Sequence, residues 1–247
     1  MGVFDFDEVF GDDYLHFYDA FLSAERTDQE AAFLVQLLAL DQGARVLDIP
    51  CGHGRISQRL ARAGYQVTGV DSNQRFLELA RRSSEGVEYI QADMRTYEPE
   101  QGGFDAVVNW FTSFGYFDDA TDRGLLGRWR RALKEGGKLV IDHQNRQRLF
   151  AVLAAADGSA AILTERGDDL MIDRTTFDID SARSNTDRIT VRDGRVKRYH
   201  YSVRTFAFNE LRDWLSEAGF SSVSAFGNYR GDPFSHESRR MIVVATA

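Results

Sequence analysis

The chain of 247 residues has one cysteine, Cys51. A lone thiol excludes an internal disulfide and a cysteine-built zinc cluster, and it suits a reducing compartment. No metal site is expected. Proline is nearly as scarce, with three residues, and no internal repeat or low-complexity linker interrupts the pattern. Positive charge is in deficit, 30 Lys and Arg against 38 Asp and Glu, giving a net charge of −8. An acidic surface argues against a partner held through phosphates or an anionic bilayer. No apolar stretch approaches the roughly 20 residues that span a membrane. The first residues carry Asp5, Asp7 and Glu8 in place of a basic segment, so no signal peptide is expected. These absences predict a soluble, cytoplasmic protein without nucleic-acid or membrane partners.

What is present is an ordinary globular composition, 43% hydrophobic and 28% charged, enough for one generous core. From residue 45 onward, apolar strands alternate with helical segments. Strands are expected at 45–50, 65–70, 87–91, 104–110 and 138–143, with helices at 55–63, 73–83 and 119–134. That alternation implies parallel pairing with right-handed crossovers, an α/β doubly wound sheet. Beyond about residue 155 the segments become short and rich in Thr, Ile, Val and Tyr, at 160–166, 169–179, 185–192 and 195–207. Gly167-Asp168 and Asp193-Gly194 mark hairpins, so an antiparallel β meander is expected, inserted into the parallel sheet. Asn209 is expected to cap a helix to residue 218, and strands near 221–227 and 239–246 close the fold. Ahead of the sheet, Tyr14, Phe17, Tyr18 and Phe21 recur at helical spacing, and Thr27 is placed to cap a following helix. The organisation expected is a helical lid over 1–43, a core over 44–155 and 208–247, and an insertion over 156–207.

Residues 46–54, Val-Leu-Asp-Ile-Pro-Cys-Gly-His-Gly, mark the chemistry. An apolar strand ends in acid and passes through Gly52-His53-Gly54 into a helix, where bare peptide groups can lie against a ligand. A second strand ends in Asp71, placed to accept from ribose hydroxyls. A P-loop would need Gly-x-x-x-x-Gly-Lys-Ser/Thr, and no Lys follows. A dinucleotide fingerprint wants a third glycine where Ser57 stands, so an NAD-dependent oxidoreductase is the weaker alternative.

In order along the chain, residues 46–54, Asp71, Ala92-Asp93-Met94, 104–110 and Glu135-Gly136-Gly137 resemble the motifs of class I S-adenosylmethionine-dependent methyltransferases. The layout is similar to small-molecule members such as sugar N,N-dimethyltransferases of antibiotic pathways. That resemblance, over roughly residues 10–247, implies a Rossmann-like seven-stranded sheet and S-adenosylmethionine as cofactor. It implies Asp48, Gly52, Gly54, Asp71 and Ser72 around the methionine and ribose, Asp93 and Met94 around the adenine, and the main-chain carbonyl of Asn109 near the amino group. Tyr14 would reach over the cofactor toward its carboxylate, with docking of an amphipathic face on the sheet as the alternative. Arg26 would pair with that carboxylate, with a surface salt bridge as the alternative. For Asp93 a turn cap and for Met94 core packing stand as the alternatives.

The acceptor is expected at the carboxyl ends of the strands, at residues 110–116 and 142–146 and the aromatic opening. Candidate acceptor contacts are Tyr18, Phe114, Tyr116, Asn145, Tyr201 and His236. His143, at a strand end and titrating near neutrality, is the candidate general base, with local hydrogen bonding as its alternative. Asp142 is also a candidate helix cap. Tyr199 and Tyr201 share a strand face and His200 points away. Methyl transfer to nitrogen or oxygen of a sugar or secondary metabolite is expected, by a monomer or homodimer. A nucleic-acid acceptor is disfavoured, since no Asn/Asp-Pro-Pro-Tyr motif is present.

Overall fold

The computed structural model describes residues 5–19 and 21–247. Phe4, at the start of the aromatic opening, and Ala20 lie outside them. Three helices come first, α1 (Phe6–Val9), α2 (Asp12–Tyr18) and α3 (Ala24–Leu38). The alternating region follows as β1 (Arg45–Asp48), α4 (Arg55–Arg62), β2 (Gln66–Asp71), α5 (Gln74–Ser83), β3 (Val87–Gln91), β4 (Phe104–Asn109), α6 (Asp119–Ala132) and β5 (Leu133–Gln144). After α7 (Arg146–Ala154) come β6 (Ala160–Arg166), β7 (Asp169–Asp178), β8 (Arg183–Arg192) and β9 (Arg195–Arg204). The chain closes with α8 (Phe208–Glu217), β10 (Ser222–Phe226) and β11 (Arg240–Thr246).

Seven strands form one sheet in the order β10-β11-β5-β4-β1-β2-β3, with β11 running antiparallel to both of its neighbours. Alternation along β1 and β4 sends successive side chains to opposite faces. Leu47 and Val107 join Trp129, Leu126 and Leu215 on one face. Val46, Ala106 and Val108 meet Leu34, Leu38, Ile56 and Leu60 on the other. Each fully buried Leu or Val contributes about 1.5–3 kcal/mol, so both helix layers are held tightly to the strands. The expected lid therefore divides: α3 packs on α4 in the core, and α1 and α2 alone lie over the strand ends.

The meander is a sheet of its own, β6-β7-β8-β9, not an extension of the parallel one. Asp193 and Gly194 both have positive φ, 50° and 72°, the geometry of a tight hairpin turn. Arg183 fastens this sheet to the loop after β4, donating to the carbonyls of Gly115, Tyr116 and Phe117 at 2.9–3.2 Å. Several caps differ from expectation. Ser23, not Thr27, accepts from the Arg26 N–H at 3.3 Å, so α3 starts earlier. Asn145, not Asp142, caps α7. Ala207 occupies the α8 cap position, one residue ahead of the helix that contains Asn209. Among the described residues no helix is long and apolar enough to cross a membrane.

Candidate active site

A cavity of about 690 Å³ lies between the carboxyl ends of the parallel strands, α1, α2 and one face of the small sheet. Its two halves are built differently.

In the near half, the β1 corner is pinned by main chain: Ile49 N–H donates to Val108 O and Cys51 N–H to Val70 O, each at 2.9 Å. Gly52 has φ +56° and donates its N–H to Asp71 Oδ2 at 2.7 Å, while Asn73 N–H donates to Oδ1 at 2.9 Å. Asp71 thus ties the end of β2 to the glycine corner and still borders the cavity. Burial pushes its carboxyl pKa up against those two N–H bonds. Asp48 accepts from Ser57 Oγ at 2.5 Å, and burial raises its pKa to about 7. Tyr14, Ser72, Asp93 and Met94 also line this half. The Asp93 carboxylate is forked by Arg95, whose N–H and guanidinium donate at 2.5–3.0 Å, and that pairing lowers its pKa.

Two expected cofactor contacts fall outside the lining. Gly54 has φ +77°, and a Cβ there would stand 2.3 Å from Tyr89 Oη and 2.9 Å from Ala80 Cβ. Its bareness serves the packing of α4 on β3 rather than a ligand. The Asn109 side chain turns inward and donates to Ile49 O at 2.8 Å, away from the cavity.

Arg55, the first residue of α4, gave no signal in the sequence beyond its place directly after the glycines. Its Nη1 donates to Glu30 at 2.7 Å, and its guanidinium lies 5.1 Å from the Phe111 ring centroid. Its buried Nη2 has no partner among the described residues. Glu30, wholly buried, also accepts from Arg26 Nε at 2.8 Å and Trp110 Nε1 at 2.9 Å. Burial alone would raise this carboxyl, but Arg55, Trp110 and Arg26 hold it below the usual range. Arg26 does not line the cavity; it is spent on Glu30 and on Phe21 O.

Beyond β4, after Trp110, come two consecutive left-handed residues that are not glycine, Phe111 (φ 61°) and Thr112 (φ 60°). Such backbone costs of order 1–3 kcal/mol per residue and persists only where neighbours fix it. Asp142 fixes it here: its carboxylate accepts from Phe111 N–H at 3.1 Å and its carbonyl from Thr112 N–H at 2.8 Å. Arg240 joins them, donating to Asp142 Oδ1 and to Thr112 Oγ1 at 2.7 Å each.

The far half is made by the lid and the small sheet. Tyr14 and Tyr18 stack at 4.3 Å, and Tyr116 sits 5.7 Å from Phe10. Tyr201 lines this half, Tyr199 on the same strand face donates to Asp13 at 3.0 Å, and His200 is turned out toward Asp187. Asp13 also accepts from Thr190 and Arg192 at 3.1 Å each, fastening α2 to β8.

Four further candidates need correction. His143 does not border the cavity: alternation along β5 turns it to the opposite face from Gln144, where it packs edge-on to Phe206. Its ring nitrogens lie 3.0 Å from Gln144 O and 3.2 Å from Phe114 O, and burial pushes its pKa down to about 4. A neutral imidazole sealed in the core is no base for a ligand in the cavity. Phe114 stacks on Phe206 at 5.4 Å in that same core. Asn145 is buried, donating to Ser235 O at 3.1 Å and Ser238 O at 2.9 Å. His236 sits exposed on that loop, outside the lining. Tyr18, Tyr116 and Tyr201 remain.

A doubly wound sheet with an acid-and-glycine corner at its strand ends defines a nucleoside-binding α/β protein. Comparison with known proteins is more specific. A methyltransferase domain model matches residues 46–137. Glycine/sarcosine N-methyltransferase of Parasynechococcus marenigrum is 31% identical over 219 residues, 84% of this chain and 73% of the relative. Among solved structures, the CcbJ methyltransferase from Streptomyces caelestis superposes with TM-score 0.77 at 20% identity, covering 89% of each chain. The sugar N-methyltransferase KedS8 from Streptoalloteichus does so with TM-score 0.70 at 17% identity, covering 100% of this chain and 94% of that one. The chain belongs to the S-adenosylmethionine-dependent methyltransferases. It is an enzyme that uses S-adenosylmethionine, and the nicotinamide alternative falls.

Proposed function

We propose that this chain transfers the methyl group of S-adenosylmethionine to a nitrogen or oxygen of a small molecule, a sugar or other secondary metabolite, with nitrogen favoured. One observation carries the reading: a single cavity joins the Asp71 corner to a tyrosine-walled chamber under the small sheet. The near half fits the cofactor. Asp71 would accept from the ribose hydroxyls, Met94 would frame the adenine, and the unpartnered Arg55 Nη2 matches a carboxylate. When bound, S-adenosylmethionine supplies an electrophilic methyl on a sulfonium. The chain's task is then alignment and exclusion of water, supported by the aromatic lid. The rings of Tyr14, Tyr18 and Tyr116 line the cavity as an aromatic wall.

A hydroxyl acceptor needs a proton sink. The small sheet's carboxylate in the far half, Asp173, has both oxygens engaged by Arg188 at 2.7 Å, and His143 lies outside the lining. An amine delivered neutral makes no such demand, and both N-methyltransferases compared above agree in this respect. The reading includes a cytoplasmic setting, a monomer or homodimer, and no nucleic-acid substrate.

The test is incubation with methyl-labelled S-adenosylmethionine and fractionated metabolites. Label should enter a small amine. Label found only in alcohols overturns the preference for nitrogen, and label found only in nucleic acid overturns the small-molecule reading.

A further inference from the structure

We propose that Arg188, Tyr18 and Tyr201 form a subsite for a carboxylate carried by the methyl acceptor. All three line the far half of the cavity, and Arg188 is only 3% exposed. Arg188 donates from Nε and Nη2 to the two oxygens of Asp173, and Nη2 also reaches Tyr18 Oη at 2.9 Å and Tyr201 Oη at 3.3 Å. Nη1 makes no hydrogen bond among the described residues, which leaves two N–H donors. Each tyrosine oxygen accepts from Arg188, so each keeps its own proton to give. The cluster therefore offers donors alone, while the neighbouring acid is engaged at both oxygens. A group that only accepts, and gains from charge-assisted bonds, is its complement. Asp173 balances the Arg188 charge, which lets the guanidinium stay buried before the acceptor arrives. Joined to the preference for nitrogen, this describes an amino acid or an amine-bearing carboxylic acid.

The inference rests on the methyltransferase reading of the cavity, so the two are tested on the same samples. S-adenosylhomocysteine binding is measured first by calorimetry. Its failure in the wild type would remove that reading, whereas binding without the response below removes the subsite alone. Acetate, the minimal carboxylate, is then titrated into the S-adenosylhomocysteine-loaded protein against chloride and inorganic phosphate at equal ionic strength, following thermal unfolding. Acetate should raise the melting temperature saturably, and chloride and phosphate should not. Tyr201→Phe should weaken the acetate response about tenfold, the loss of one hydrogen bond to a charged group. Arg188→Gln combined with Asp173→Asn, which removes both charges together, should abolish it while S-adenosylhomocysteine still binds. An equal response to chloride or phosphate overturns the carboxylate assignment. So does an undiminished acetate response in either folded variant.

Discussion

Around Asp71 the cavity wall is main chain: β1 and β2 deliver the corner, and Gly52 N–H and Asn73 N–H hold the acid in place. Around Arg188 the wall is side chain, with α2 fastened to the small sheet through Asp13, Tyr18 and Arg166. The first half is rigid because it grows from strands buried on both faces. The second is a closure of polar contacts between two elements outside that core. Such contacts are weaker than apolar packing and more sensitive to salt. A cofactor common to a family suits the former construction, and an acceptor that must enter and leave suits the latter.

The largest expected effect lies in the rigid half. Asp71→Ala should weaken S-adenosylhomocysteine binding by about 1.5–3 kcal/mol in calorimetry. It should also lower the melting temperature, because two backbone N–H groups lose their acceptor. Unchanged affinity in a folded variant would move the ribose elsewhere.

Next comes His143. Its folded pKa of about 4 lies below the ordinary value of 6.5. Its contribution to stability is therefore complete above pH 6.5 and declines as pH falls toward 4, by at most about 1.4 kcal/mol per pH unit. Urea melts of His143→Gln should show a correspondingly shallower acid limb over that window, with the shape of the pH–turnover profile unchanged. A collapsed turnover profile would return His143 to the chemistry and blur the contrast between the halves.

The smallest effect is in the closure. Asp13→Asn should loosen α2 by about 1 kcal/mol, read as faster amide exchange over 12–18, with S-adenosylhomocysteine affinity held within about twofold. An equal loss of cofactor affinity would show that the halves are not separable.

The rigid half was also the legible one. Hydrophobic alternation and the glycine corner are local signals, so the strands, Gly52 and Asp71 could be placed from sequence. His143 was misjudged because nearness to a strand's end does not say which face a side chain takes; a one-residue step reverses it. Arg55 and Arg188 went unnoticed because an arginine in an arginine-rich chain carries no mark of burial. Their importance comes from partners far along the chain, Glu30 and Tyr18. The antiparallel insertion was legible too, through hairpin signals such as Asp193-Gly194, but those signals fix pairing between neighbours, not where the whole small sheet docks.

The most direct measurement is a crystal structure of the protein with S-adenosylhomocysteine. The ribose should sit on Asp71 and the carboxylate against Arg55, with the sulfur open toward Tyr18 and Tyr201. A nucleoside lodged against Arg188 under the small sheet would contradict the assignment of the two halves.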